Sequence, residues 1–215
     1  MKKTIVINIV GGPGAGKSTI ASGVFNLLKM SQRDAELVSE YPKSLVWEER
    51  KKTFDDSLYL FAKQSHIQYS INGKVDYMVT DRPLIMSNMY HNFWMEKDWP
   101  NTWNKAFYNL VKQTWDLYDN RVYLIERGFP YQANGRNENE QEALNQDKLT
   151  KKWLDDYGID YITIYGDDKA HYKIFEYIIK TEKAKDIPLI LGMSFLIINE
   201  LFTIFNYFFY TTCFI

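Results

Sequence analysis

Residues Gly11, Gly12, Pro13, Gly14, Ala15, Gly16, Lys17 and Ser18, followed by Thr19, satisfy the pattern G-x-x-x-x-G-K-[ST]. An apolar run, Thr4 to Val10, precedes them and a helical pattern follows, which is the setting in which such a loop can work. Glycines let the backbone curl so that successive N–H groups face phosphate oxygens, and a helix N-terminus adds partial positive charge. Lys17 can reach the β- and γ-phosphates as a compact cation, and the Ser18 hydroxyl can ligate Mg²⁺. A plain glycine turn would leave Lys17 unexplained. A guanine reader of the form Asn-Lys-x-Asp is not found, since the near match Asn104-Lys105-Ala106-Phe107 lacks the aspartate. ATP is therefore the expected nucleotide.

Other chemistry-bearing residues fall just after apolar runs. Asp81 closes one of them and can hold Mg²⁺ or accept a proton from an attacking hydroxyl; the alternative is a helix cap before Leu84. Glu40 closes another, offering a second carboxylate to the same edge, with Tyr41 and Trp47 placed to stack on a base. Arg82 can meet a substrate phosphate or pair with Glu40. The polar stretch 127–137 carries Arg127 and Arg136, two of the chain's six arginines. A lid-like loop of this kind can neutralise charge on a transferring phosphoryl group, although Arg127 can instead pair with Glu126 or an acidic helix face. His66, His91 and His171 lack the spacing of a zinc site. Trp94, Trp99, Trp103, Phe107, Tyr108, Trp115 and Tyr118 recur at helical intervals and read as core.

The elements that must position these groups alternate. Strands are expected at 4–10, 35–39, 77–80, 122–125 and 161–165. Helices are expected from Lys17 to about Met30, as two segments between about Pro42 and Ile71, across 84–118 with a break near Asp98-Trp99-Pro100, over 140–157 and over 168–180. Near-continuous β-branched runs suit strands covered on both faces. The pattern predicts an α/β fold with helices on both faces of a five-stranded parallel sheet, and its C-terminal edge is where ligands bind.

The chain has 215 residues, 46% of them hydrophobic and 25% charged, which excludes intrinsic disorder, and its single cysteine, Cys213, excludes a disulfide framework. A reducing, cytoplasmic setting fits. A formal net charge of -1 provides no global field for nucleic acid. Residues 187–215 carry one charge, Glu200, in a run otherwise rich in Ile, Leu, Phe, Tyr and Thr. Its length suffices for a bilayer span of about 20 residues, against which Glu200 costs roughly 3 kcal/mol. A membrane anchor, a packed helix and an out-of-register translation remain as readings. The expected division is a nucleotide-binding domain over 1–183 and a hydrophobic tail over 184–215.

Together with the phosphate loop, the run Glu36 to Arg50, the strand end Val79-Thr80-Asp81-Arg82-Pro83-Leu84, and Pro130-Tyr131 followed by Gly135-Arg136-Asn137 carry a family resemblance. Over about residues 2–180 the chain resembles a phage and prophage P-loop AAA-type ATPase family, related to the ribosylnicotinamide kinase domain of NadR proteins and to nucleoside and nucleotide kinases. The resemblance implies a nucleotide-kinase-like P-loop NTPase fold, Mg-ATP as donor, Asp81 near the acceptor and Arg136 in a lid. The expected function is phosphoryl transfer to a small nucleoside-, nucleotide- or nicotinamide-riboside-like acceptor. The alternatives are a P-loop ATPase switch without an acceptor and a polynucleotide 5′-kinase, which the charge balance disfavours.

Overall fold

A computed structural model describes residues 4–41, 48–131 and 139–185. Strands β1 (Ile5–Val10), β2 (Ala35–Val38), β3 (Tyr77–Thr80), β4 (Asp119–Glu126) and β5 (Ile162–Tyr165) form one sheet in the order β2-β3-β1-β4-β5. Every pairing in it is parallel. β1 is central, flanked by β3 and β4, and is buried from Val6 to Val10. That burial is why its sequence is almost uninterrupted Ile and Val rather than alternating.

Helices α1 (Lys17–Met30), α2 (Ser57–Ile71), α3 (Met86–Trp94), α4 (Asn101–Trp115) and α5 (Glu140–Asp156) lie between successive strands, and α6 (Ala170–Lys185) follows β5. Short 3₁₀ turns occupy Lys51–Asp55 and Glu96–Asp98. Of the two helices expected between about Pro42 and Ile71, α2 is the later one, and residues 42–47, where the earlier one was expected to begin, lie outside the described residues. Pro100, at φ -58° and ψ 142°, is the N-cap residue that precedes α4. Asn139 caps α5 reciprocally with Glu142, fixing where the chain re-enters helix.

A core cluster joins Val6, Val10, Met78 and Leu124 of the sheet to Phe61, Phe107, Trp115, Trp153 and Leu154 of the helices. Each fully buried aliphatic side chain contributes about 1.5–3 kcal/mol. The aromatic set divides between inside and outside. Phe107, Trp115 and Tyr118 are core and Trp103 and Tyr108 pack against it, but Trp94 and Trp99 are 46% and 37% exposed. His91 is fully buried, its ring nitrogens 2.9 Å from Ser57 Oγ and 2.8 Å from Asn104 Oδ1.

Contacts divide the chain into a unit ending at Tyr177 and a second one from Ile178 onward. Within the second unit the described part is the last two turns of α6. The hydrophobic run 187–215 lies outside the described residues, and among those described no helix is long and apolar enough to cross a membrane.

Candidate active site

Because all five strands run parallel, the segments leaving their C-terminal ends share one edge of the sheet. The loop Gly11–Gly16 follows β1, Glu40 follows β2 closely, Asp81 follows β3 and Arg127 follows β4. Register completes the placement. Asn8 pairs with Thr80 and Val10 with Leu124, so Asp81 and Arg127 emerge on opposite sides of the loop.

The loop ends at Gly16, which caps α1 at φ 88° and ψ 10°, a left-handed conformation that disfavours any side chain. A Cβ at Gly16 would also lie 2.7 Å from the Phe129 ring. Gly16, the N-cap of α1, has no side chain with which to cap the helix, and a helix N-terminus without such a cap suits an anion. Lys17 Nζ donates to the Gly12 carbonyl at 2.9 Å, folding the ammonium back over the loop. Ser18 and Thr19 are exposed at the first turn of the helix.

Ser18 Oγ donates to Asp81 Oδ2 at 2.5 Å. Asp81 is only 7% exposed, and its other oxygen, Oδ1, is buried with no hydrogen-bond partner. A buried carboxylate oxygen left unpaired costs free energy, and a hard cation beside Ser18 would satisfy it. The donor set, one hydroxyl and one carboxylate at a phosphate loop, therefore fits Mg²⁺. Asp81 does not cap a helix: α3 starts at Met86, beyond Leu84, with no side-chain cap.

On the β2 side, Arg82 Nη1 donates to Glu40 Oε1 at 2.9 Å, and the Arg82 guanidinium lies 3.9 Å above the Tyr90 ring. Pairing with Glu40 is thus the arrangement adopted. The cation–π contact adds about 0.5–2 kcal/mol. Gln64, 2% exposed on α2, sets this corner by accepting from Tyr41 N at 3.0 Å and donating to Ser39 O at 3.4 Å. Glu40 is pinned between those two bonds. The Tyr41 hydroxyl meets that of Tyr59 at 2.8 Å, the rings edge-on, so its face toward α2 is already used. Trp47 and Arg136 lie outside the described residues.

On the β4 side Arg127 pairs with an acidic helix face, that of α5. Its Nε donates to Asp147 Oδ2 at 2.7 Å, and its Nη2 donates to Asp147 Oδ1 at 3.1 Å and to Pro13 O at 2.7 Å. Asp147 Oδ1 also accepts from Gly12 N at 3.0 Å. Sequence reasoning missed Asp147, Phe129, Gln64 and Tyr90. Nothing local distinguishes Asp147 from Glu140, Glu142 or Asp155 on the same helix. Phe129 carried a weak signal, an apolar residue inside an otherwise polar stretch.

A family model described as "AAA domain" matches residues 6–170, an interval containing every site residue named above. No curated protein matches in sequence. Among solved structures, one described as "Crystal structure of NadR protein in complex with NR" matches with a TM-score of 0.58 at 15% identity, over 82% of this chain and 51% of that one. The likeness is one of fold, and this chain spans about half the length of that protein. With the family model covering most of its length, and the loop, the Ser18–Asp81 pair and the sheet order in agreement, the chain belongs to this AAA-domain family of P-loop proteins.

Proposed function

We propose that the protein is a Mg-ATP-dependent phosphotransferase acting on a small nucleoside-, nucleotide- or nicotinamide-riboside-like acceptor. The observation that carries the reading is the Ser18–Asp81 pair beside the loop, with Asp81 Oδ1 buried and unpaired. Ser18 and Asp81 would hold Mg²⁺, which supplies charge neutralisation at the β- and γ-phosphates. The amides from Gly14 to Thr19 receive phosphate oxygens, and Lys17 moves from the Gly12 carbonyl to the triphosphate.

With Asp81 committed to Ser18, Glu40 is the carboxylate left to take the acceptor's hydroxyl proton. Arg82 holds one Glu40 oxygen, leaving the other to face an acceptor. The Arg82–Tyr90 stack gives an acceptor ring or phosphate a flat cationic wall. The structural neighbour is a complex with NR, which motivates including nicotinamide riboside among the candidates.

The test is ADP production from labelled ATP with nucleosides, mononucleotides, nicotinamide riboside and oligonucleotides offered in turn. Stimulation by one small-molecule class supports the reading. Turnover that no acceptor raises assigns the protein instead to the ATPase switches, and phosphate appearing on oligonucleotide ends assigns it to the polynucleotide kinases.

A further inference from the structure

We infer that Asp147 is a positioning residue that clamps the phosphate loop from outside, and that Arg127 serves this clamp rather than the transferring phosphoryl group. The inference rests on the reading that the loop binds a triphosphate. Each Asp147 oxygen is used: Oδ2 by Arg127 Nε, and Oδ1 by both Arg127 Nη2 and the Gly12 amide. Arg127 in turn holds the next carbonyl of the loop, that of Pro13. The side chains are 11% exposed for Arg127 and 23% for Asp147, so each charge depends on the other for solvation. A fork-to-fork pair of this kind fixes orientation as well as energy.

The clamp also explains a glycine. Gly12 is not among the residues with positive φ, which include Gly14 and Gly16, so its backbone does not demand glycine. What demands it is space: a Cβ at Gly12 would sit 2.1 Å from Asp147 Oδ1 and 3.1 Å from the Asp147 amide nitrogen. Gly12 is gripped at both ends, its N–H by Asp147 and its carbonyl by Lys17. When Lys17 turns to a phosphate, Asp147 and Arg127 keep the loop in its curled shape. A pocket of about 190 Å³ bordered by Gly12, Ile125, Arg127, Asp147 and Lys148 adjoins the clamp. Water entering from it would compete for the Gly12 amide once the carboxylate is gone.

The experiment combines three variants, Asp147→Ala, Gly12→Ala and the double variant, with Asp147→Asn as a milder form that retains an acceptor for the Gly12 amide. Mg-ATP affinity is read by calorimetry, loop amide exchange by mass spectrometry, and melting temperature as a control. Asp147→Ala is expected to weaken Mg-ATP by about tenfold or more and to accelerate exchange over 10–18 by a similar factor. Asp147→Asn should fall between it and wild type. In steady state the ATP KM rises and the acceptor KM does not, a split that general destabilisation would not produce. Gly12→Ala is expected to lose Mg-ATP binding when Asp147 is present and to regain the level of Asp147→Ala when it is not.

Wild-type affinity and exchange in both Asp147 variants would overturn the inference. So would a Gly12→Ala defect that is the same with and without Asp147. If the wild-type protein itself ignores Mg-ATP, the functional reading fails instead. The exchange rates and the Gly12–Asp147 coupling in melting temperature still decide the clamp.

Discussion

The two sides of the phosphate loop are built on different principles. Toward β4, Lys17, Arg127 and Asp147 all bond the loop's own main chain. Toward β2, Glu40 and Arg82 bond each other, and Arg82 rests on the Tyr90 ring. A site that always receives the same triphosphate gains from a rigid frame, because donors fixed in advance need not reorganise. A site whose partner must be recognised gains from side chains that present unused faces. Asp81 stands at the boundary, one oxygen on Ser18 and the other buried without a partner.

Breaking the boundary should have the largest effect. Asp81→Asn keeps the shape but halves the anionic oxygens available to a cation, and is expected to lower turnover by roughly a hundredfold or more. If Asp81 serves the metal, Mg-ATP affinity falls with it in calorimetry. Unchanged Mg-ATP affinity with lost transfer would move Asp81 to the role of base and release Glu40 from it.

Arg82→Ala sharpens the contrast from the other side. It removes the partner of Glu40 and the cation above Tyr90, and should cost about 10–100-fold in kcat/KM for the acceptor while the ATP KM stays within about threefold. An equal rise in the ATP KM would show that the two sides are not independent.

The phosphate loop was legible because its chemistry is local: eight consecutive residues state the whole motif. The parallel sheet was legible for a related reason, since buried central strands must be apolar on both faces, as β1 is. What could not be read were partnerships across the chain. Asp147 lies 135 residues from Gly12, and Gln64 lies 23 from Tyr41. Neither position is marked by its neighbours, because a charged or amide residue on a helix face looks the same whether it meets solvent or a backbone. The choice between alternatives for Arg82 and Arg127 depended on such partners, and each went to a carboxylate. Trp94 and Trp99 misled in the opposite direction, since helical spacing of aromatics does not reveal that α3 ends at Trp94 and that Trp99 follows a short 3₁₀ turn, both partly outside.

The smallest expected effect concerns the strand under the rigid side. Burial, only partly offset by Arg121, pushes the Tyr123 phenol up to about 12 from its ordinary value of 10.0. A phenol whose pKa is raised by folding stabilises the fold fully below pH 10.0, and that contribution is lost as pH climbs toward about 12. The loss is on the order of 2 kcal/mol. Urea melts across this window should show Tyr123→Phe less sensitive to alkali than wild type. Identical alkaline profiles would place the sensitivity elsewhere.

Calorimetric titration of Mg-ATP into the wild-type protein and Lys17→Ala addresses the loop itself. Saturable binding by wild type, weakened at least about tenfold in Lys17→Ala at an unchanged melting temperature, is the predicted result. A wild-type protein that releases no heat with Mg-ATP, or a Lys17→Ala variant that binds it as well as wild type does, would contradict a triphosphate held by this loop.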